Sequence, residues 1–328
     1  MNYLITMTKS YHTATAAFFI PMGIFYLANQ LNRIGQPFTF TPINKVNDSK
    51  GIVYLSYFLS DHLSIVNTPA SKIVIGGTGS SKNNVIIPDK ELLIFHGAAS
   101  YFDIHALNYC GEITHPSLPK DVEIPIIPKE YLENMKVIQF NNGSGCSYNR
   151  CSFCTRIEQR SLDPEITAEA IVKIYGRYKK QVQLSLDGPS MNYLDSICNI
   201  ILKNNIKVEW GCSAMVRNLN KKFINKLFSA GCISLGIGLE YMEDNVLNAI
   251  SKGSTVGEYF ATIETMKTLG MYAHFCIIDF DSYVPAKYKQ IHHKNLKKIL
   301  NACNPKFSFS VSKLRSNICT DKALKKLF

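Results

Sequence analysis

Three cysteines carry the most distinctive chemistry in this sequence. Cys146, Cys151 and Cys154 stand at C-x4-C-x2-C spacing in the run Asn142-Gly143-Ser144-Gly145-Cys146-Ser147-Tyr148-Asn149-Arg150-Cys151-Ser152-Phe153-Cys154. Three thiolates within nine residues can close on one face of a metal cluster, and thiolates are soft ligands suited to iron–sulfur or zinc. A four-iron cluster usually takes four protein thiolates, so three would leave one iron open to a small molecule. Structural zinc would want a fourth ligand at a spacing such as C-x2-C followed by H-x3-5-H. No Cys or His lies between Cys154 and Cys198, which favours the iron–sulfur reading over zinc.

A loop of this kind needs a rigid mount, and the sequence supplies one. The cysteine run directly follows a strand-like stretch at 137–140 and opens a β/α alternation. Strands are expected at 182–186, 207–210, 233–238, 272–278 and 307–311. Helices are expected at 164–178, 193–203, 221–229, 244–250, 258–269 and 288–301. That makes six β/α units, fewer than the eight of a closed barrel. Upstream, strands are expected at 3–7, 38–40, 52–58, 72–75 and 92–95, with a helix at 23–34 stopped by Gly35. Short apolar strands ending in Gly-rich turns, as at Gly76-Gly77, suggest a parallel sheet with ligand groups at the strand ends. A Pro-rich connector (Pro116, Pro119, Pro125, Pro128) punctuates the chain between the halves. The expected division is 1–130 and 131–328.

Composition excludes several classes. With 328 residues, 46% apolar and 19% charged, the chain can bury a large core and is not disordered. Ten cysteines in so long a chain are not a disulfide framework; Cys198, Cys232 and Cys276 sit singly in apolar runs. The chain therefore reads as reduced and cytoplasmic. The apolar run 14–28 is interrupted by Pro21-Met22-Gly23 and is shorter than the roughly 20 residues that span a bilayer, so no membrane is expected. The net charge of +11 is concentrated at one end: residues 282–328 hold eleven Lys/Arg against the single acid Asp321. Such a face suits an acidic partner, or is simply a solvated helix surface.

The cysteine run resembles that of radical S-adenosylmethionine (SAM) enzymes, and most closely the branch with an N-terminal cobalamin-binding-type domain. The usual family spacing is C-x3-C-x2-C; the extra residue here also occurs in that branch. Phe153, the aromatic before the third cysteine, fits the pattern. The resemblance implies that Cys146, Cys151 and Cys154 ligate three irons of a [4Fe-4S] cluster whose fourth iron is chelated by SAM. It extends through the second half. Asp187-Gly188-Pro189 takes the place of the loop that meets the SAM amino group, although an ordinary Asp-Gly-Pro turn would look the same. Glu240 closes a strand, Gly231 to Glu240, in the place of a carboxylate that accepts from ribose hydroxyls. Ser251-Lys252-Gly253-Ser254-Thr255 matches a Lys-Gly-x-Thr stretch. Arg217 is a candidate partner of the SAM carboxylate, and Ile277, with Ile278, of adenine. This chain departs in having Tyr241 after the glutamate and Asp279-Phe280-Asp281 in place of a Gly-Pro-Gly-Glu-like turn. His274 and Asp279 could face substrate, or His274 could be satisfied in the core.

In the first half, Pro21-Met22-Gly23 with Leu31 and Gly35, Lys72 to Gly77, and Gly111-Glu112 resemble parts of cobalamin-binding-type domains. The Asp-x-His-x-x-Gly signature is absent, and the stretch 41–51 is reduced. Cobalamin binding and retention of the fold alone both stay open. The implied fold is α/β: an N-terminal Rossmann-like, cobalamin-binding-type domain followed by a partial (β/α)6 TIM-type barrel. The implied activity is reductive cleavage of SAM to a 5′-deoxyadenosyl radical that modifies a substrate, with cobalamin-dependent methylation as one outcome. The cofactors would be the [4Fe-4S] cluster, SAM and cobalamin. The partners would be a peptide, small-molecule or nucleic-acid substrate and a reductant such as flavodoxin or ferredoxin. The alternatives are a cobalamin-independent peptide-modifying enzyme or epimerase, and a non-catalytic iron–sulfur or zinc protein that binds nucleic acid.

Overall fold

A computed structural model describes residues 3–7, 23–40, 52–56, 72–76, 91–96, 111–114, 124, 126–133, 135–154, 158–280, 284–302 and 306–313. The chain divides into two compact units, Met1–Asn141 with Arg177–Lys180, and Asn142–Gly176 with Gln181–Phe328. Several expectations fall outside the described residues: Tyr57 and Phe58, residues 14–22, the stretch 41–51, Gly77, the connector prolines Pro116, Pro119 and Pro125, and the basic positions beyond 313.

Six strands form the first sheet: β1 (Tyr3–Met7), β2 (Phe38–Phe40), β3 (Ile52–Ser56), β4 (Lys72–Gly76), β5 (Glu91–His96) and β6 (Gly111–Thr114). All pairings are parallel, in the order β2-β1-β3-β4-β5-β6. This is the strand order of the flavodoxin-like doubly wound folds, which reverses between β1 and β3; ligands of such folds sit outside the strand ends at that point. Helix α1 (Gly23–Arg33) ends where expected. Gly35 takes φ 67, a left-handed conformation that costs glycine little, and the amide of Gln36 closes on the Leu31 carbonyl at 2.9 Å. The helix buries Phe25, Tyr26, Ala28 and Leu31. Phe25 meets the rings of Phe40 and Tyr131 edge-on at 5.6 and 5.5 Å, the latter on the short helix α2 (Lys129–Leu132). The buried Asn29 donates to the Ile124 carbonyl (3.0 Å) and accepts from the Ile126 amide (2.9 Å). Strand β6 was not expected: Gly and Glu have low strand propensity, and four residues give no periodicity to read.

The second sheet runs in the order β14-β13-β12-β11-β10-β7. Its elements are β7 (Val137–Phe140), then a two-stranded antiparallel ribbon of β8 (Gly143–Ser144) and β9 (Arg160–Ser161) outside the sheet, α3 (Pro164–Tyr178), β10 (Gln181–Leu184), α4 (Met191–Lys203), β11 (Trp210–Ala214), α5 (Lys221–Ser229), β12 (Cys232–Glu240), α6 (Asp244–Ala249), α7 (Val256–Leu269), β13 (Tyr272–Asp279), α8 (Ala286–Ala302) and β14 (Phe307–Lys313). Each sheet strand neighbours the next in chain order, the winding of a (β/α) barrel, and among the described residues the six strands form an open sheet. Pairings from β10 to β14 are parallel.

Alternation sorts the side chains. Val182, Leu184, Cys212, Leu235, Ile237, Ala273 and Phe275 are buried on the helix-packed face. Gln183, Gly211, Ser213, Ser234, Gly236, His274 and Cys276 share the opposite face through the strand registers. At these positions the strands themselves contribute no carboxylate, lysine or arginine. The helices are stopped by local chemistry: Ser190 and Asn220 cap α4 and α5, and a Thr255–Glu258 capping box opens α7, which ends at the left-handed Gly270.

One strand is displaced from expectation. The residues expected as a strand at 207–210 form an extended connector as far as Glu209, and β11 is the following run, Trp210–Ala214. Val208 has the higher strand propensity, but the left-handed turn at Asn205 brings the chain back before pairing can begin. Trp-Gly-Cys-Ser-Ala pairs instead, because small residues fit beneath the side chains of β10 and β12. A Cβ on Gly211 would lie 2.0 Å from the Ser234 hydroxyl and 2.5 Å from the Gln183 amide oxygen.

Candidate functional site

The cysteine loop leaves β7 through Asn142, which is fully buried. Its side chain accepts from the Leu186 amide at the end of β10 (3.0 Å) and donates to the Tyr193 hydroxyl on α4 (3.2 Å). One asparagine thus ties the loop's root to the next β/α unit. Gly143 pairs with Ser161 in the β8–β9 ribbon, where a Cβ would strike the Arg160 carbonyl oxygen at 2.3 Å. The ribbon closes the loop's base, so the three cysteines lie on a constrained segment.

Two other strand-end loops pin that segment. Cys146 bridges to Glu158 and to Gly188, and the Ser147 amide donates to the Gly188 carbonyl at 2.8 Å. A Cβ on Gly188 would sit 2.3 Å from the Cys146 sulfur, so only glycine lets the thiol cross this backbone. The thiol also reaches the Met215 sulfur at 3.7 Å. On the other side, the Ser152 amide donates to the Ile250 carbonyl (3.0 Å) and the Tyr148 hydroxyl to the Ser251 carbonyl (2.9 Å). Arg217 lies over the Tyr148 ring at 4.5 Å.

Glu240 ends β12 with φ 54, left-handed for a residue with a side chain, where the pairing to β13 shifts register. Its carboxylate folds back over Gly238, whose hypothetical Cβ would lie 2.1 Å from Glu240 Oε1. It pairs there with Lys252 Nζ at 2.7 Å; the two side chains are only 9% and 11% exposed. Lys252 also lies 5.8 Å from the Phe153 ring centre. Beneath, the buried Tyr259 hydroxyl donates to the Gly238 carbonyl at 2.9 Å, and burial holds it well above the usual phenol range.

The three thiols share one electrostatic neighbourhood. Burial pushes the Cys151 thiol up to about 11; Lys252 opposes this, while Cys154, Glu240 and Cys146 add to it. A buried thiol crowded by other thiols and a carboxylate needs a cation's charge to stay deprotonated, and a thiolate-bound metal provides that charge. Among the described residues, no three His, Cys, Asp or Glu side chains converge as ligands of a single ion. A cluster, in which each thiolate meets its own iron, asks for wider spacing. The donor set, the exposure of Cys154 and the backbone anchoring fit a cluster with protein thiolates on one face only.

The structure brings together Cys146, Cys151, Cys154, Phe153, Gly188, Glu240 and Lys252. Asp187 is half-buried in the adjoining loop. Ile277 is placed differently from the rest: it is 5% exposed on the face of β13 that carries Ala273 and Phe275, and Ile278 follows on the other. His274 is on that other face, hydrogen-bonded by Nδ1 to Ser308 (2.9 Å) and by Nε2 to Ser310 (3.0 Å), with burial lowering its pKa. The Glu240–Lys252 pair, the Tyr148 anchor and the Asn142 root were not identified as a unit from sequence. Each is a long-range contact between loops, and a lone Asn or Tyr in a loop announces nothing.

Residues 141–280 match the family described as "Radical SAM superfamily". Solved structures share the fold over nearly the whole chain. The cobalamin-dependent S-adenosylmethionine radical enzyme OxsB with aqua-cobalamin bound is 15% identical with a TM-score of 0.61, covering 99% of this chain and 55% of that one. The radical S-adenosylmethionine methyltransferase TsrM from Kitasatospora setae, with cobalamin and a [4Fe-4S] cluster bound, is 10% identical with a TM-score of 0.60, covering 94% and 72%. This chain therefore spans about half the length of OxsB. No curated protein matches it. The cysteine loop at the strand ends of the open parallel sheet thus falls within residues 141–280, the part of this chain that matches the radical SAM superfamily.

Proposed function

We propose that the protein is a cytoplasmic radical SAM enzyme that cleaves SAM reductively and modifies a substrate, with cobalamin-dependent methylation as its reaction. One observation carries the reading: the three thiols are pinned by exactly those neighbouring loops, 187–188 and 250–253, that hold the acidic and basic groups a zwitterionic nucleoside ligand requires. Residues 1–130 take the role of the cobalamin-binding-type domain and 131–328 that of the radical SAM core. When bound, a [4Fe-4S] cluster supplies the electron that splits SAM into methionine and a 5′-deoxyadenosyl radical.

The chain's own residues bind, orient and exclude water. Cys146, Cys151 and Cys154 hold the cluster. Phe153 screens it from solvent between the second and third thiolates. Asp187 meets the SAM ammonium in a charge-assisted contact, and the glycine at 188 keeps backbone within reach of Cys146. Glu240, oriented by Lys252, accepts from ribose hydroxyls. Adenine lies against the end of β13 at Ile278, since Ile277 turns to the helix-packed face. The flavodoxin-like order of the first sheet supports the cobalamin reading, since its reversal between β1 and β3 offers a ligand cleft. Membership of the matched domain does not name the substrate, because function resides in the site and not the fold.

The test is anaerobic reconstitution with iron and sulfide, then incubation with SAM and dithionite, with and without hydroxocobalamin. We expect 5′-deoxyadenosine by mass spectrometry from the wild type and none from Cys151→Ala. Cobalamin-dependent S-adenosylhomocysteine would identify methyl transfer. Stoichiometric iron uptake without SAM binding would refute the enzymatic reading.

A further inference from the structure

The basic region that the reading above leaves unused begins on α8, which carries five lysines and no acid. Lys289, His293 and Lys297 recur at every fourth residue and form one stripe along the helix. His293 and Lys297 are exposed, as are Lys287, Lys294 and Lys298. Directly behind the stripe, His292 is 5% exposed and accepts from the Met242 amide through Nδ1 at 2.9 Å.

His292 is the first of a series of rings leading inward. It stacks on Tyr241 with centres 3.8 Å apart and planes 12° from parallel, and its neighbour His293 is 5.2 Å away at the surface. Tyr241 meets Phe280 at 6.1 Å, and Phe280 meets Phe153 at 6.1 Å. Phe153 lies between Cys151 and Cys154 in the chain. Tyr241 and Phe280 are wholly buried. A line of ring contacts therefore joins the basic face of α8 to the cysteine loop.

We infer that the α8 stripe docks an acidic one-electron carrier protein, and that Phe153, Phe280, Tyr241 and His292 are the packed medium through which its electron reaches the cysteine loop. The inference rests on the cluster reading above. Charge complementarity selects the partner: the five lysines of this acid-free helix steer an anionic surface to it and set its orientation. The ring line favours an electron carrier over a nucleic acid, since a nucleic acid has no use for a route from α8 to the thiols. In the transfer, the carrier's cofactor is oxidised by one electron and the cysteine-held cluster is reduced by one; no atom moves. The rings are not themselves oxidised or reduced.

The experiment uses the full chain with its cluster reconstituted. The probes are an FMN-containing flavodoxin, labelled for fluorescence anisotropy, and a single-stranded DNA oligonucleotide as competitor. Cluster reduction is followed by bleaching of its visible absorbance after mixing with reduced flavodoxin or with dithionite. Lys289→Glu/Lys297→Glu should weaken flavodoxin binding by about tenfold or more and reduce its salt dependence, while Lys203→Glu on α4 should change it less than about twofold. Tyr241→Leu should leave binding intact and lower the ratio of flavodoxin-driven to dithionite-driven bleaching by about fivefold. Equal binding by the charge-reversed and wild-type proteins would overturn the docking face. An unchanged bleaching ratio in Tyr241→Leu would overturn the route. Binding of the oligonucleotide in place of flavodoxin would reassign the stripe to nucleic acid. Failure of wild-type protein to take up iron, or to bleach with dithionite, would instead sink the cluster reading.

Discussion

Lys252→Met removes one member of an ion pair that the fold has taken out of water. At 2.7 Å, with side chains 11% and 9% exposed, the pair has a gross attraction of about 6 kcal/mol at an effective dielectric constant of about 20. Deleting the lysine leaves Glu240 beneath Gly238 without its counter-charge, and breaking a buried pair in this way costs about 3–5 kcal/mol. Removing both charges in Glu240→Gln/Lys252→Met should recover most of that, leaving a net loss within about 1 kcal/mol, so the coupling between the sites should be at least about 2 kcal/mol. A contrast lies in the same unit: Lys226 and Asp195 also pair, but at 30% and 39% exposure, and Lys226→Met should cost no more than about 1 kcal/mol. The assay is urea unfolding followed by tryptophan fluorescence. The chain has a single tryptophan, Trp210, fully buried on β11 with its indole nitrogen donating to Ala230 at 2.8 Å, so the signal reports this unit alone. If Lys252→Met costs no more than Lys226→Met, the pair is not desolvated, and the reasoning that Lys252 orients Glu240 falls with it.

Gly188→Ala should fold but lose iron: its methyl would lie 2.3 Å from the Cys146 sulfur, and the displacement, of order 1–3 kcal/mol, falls on the thiol; iron per chain after reconstitution measures it. Asn142→Ala leaves the Leu186 amide without its acceptor in a fully buried place, and should lower stability by about 1–3 kcal/mol in the same urea assay. Burial, with Cys212 adding to it, pushes the Cys198 thiol up to about 12. The unfolded chain ionises this thiol near 9, so the stability it carries is complete below pH 9 and is lost between pH 9 and 12. Cys198→Ala should make the alkaline fall in stability shallower over that range.

The parts legible in the sequence were those carried by local pattern. The cysteine spacing, the preceding strand at Val137–Phe140 and the β/α alternation were read from residues near each other in the chain, and the helix ends at Gly35 and Ser229 followed from short-range stop signals. Parts that depend on pairing across the chain were not. Trp210–Ala214 forms a strand because Gly211 admits the side chains of Gln183 and Ser234, which no propensity scale registers. His-Phe-Cys-Ile-Ile-Asp is apolar on both faces of its strand, so nothing in it told whether Ile277 or Ile278 turns toward the helices. Glu240 and Lys252 were each marked by resemblance, yet their union required the left-handed turn at Glu240, and a turn of that kind is invisible where no glycine announces it.

The anchoring of the cysteine loop by residues 250–251 also has a temporal side. The Tyr148 hydroxyl finds its acceptor at Ser251, 103 residues later in the chain. At the roughly 5–20 residues per second of protein synthesis, the loop leaves the ribosome about 5–20 s before the segment that fastens it. For the first part of that interval the three thiols lack even their root, because Asn142 finds its partners only at Leu186 and Tyr193, and until Ser251 follows they stay uncovered at the tip. Nascent protein is then accessible both to the machinery that delivers iron and sulfide and to any oxidant, and the order of synthesis sets a window in which the first must outpace the second.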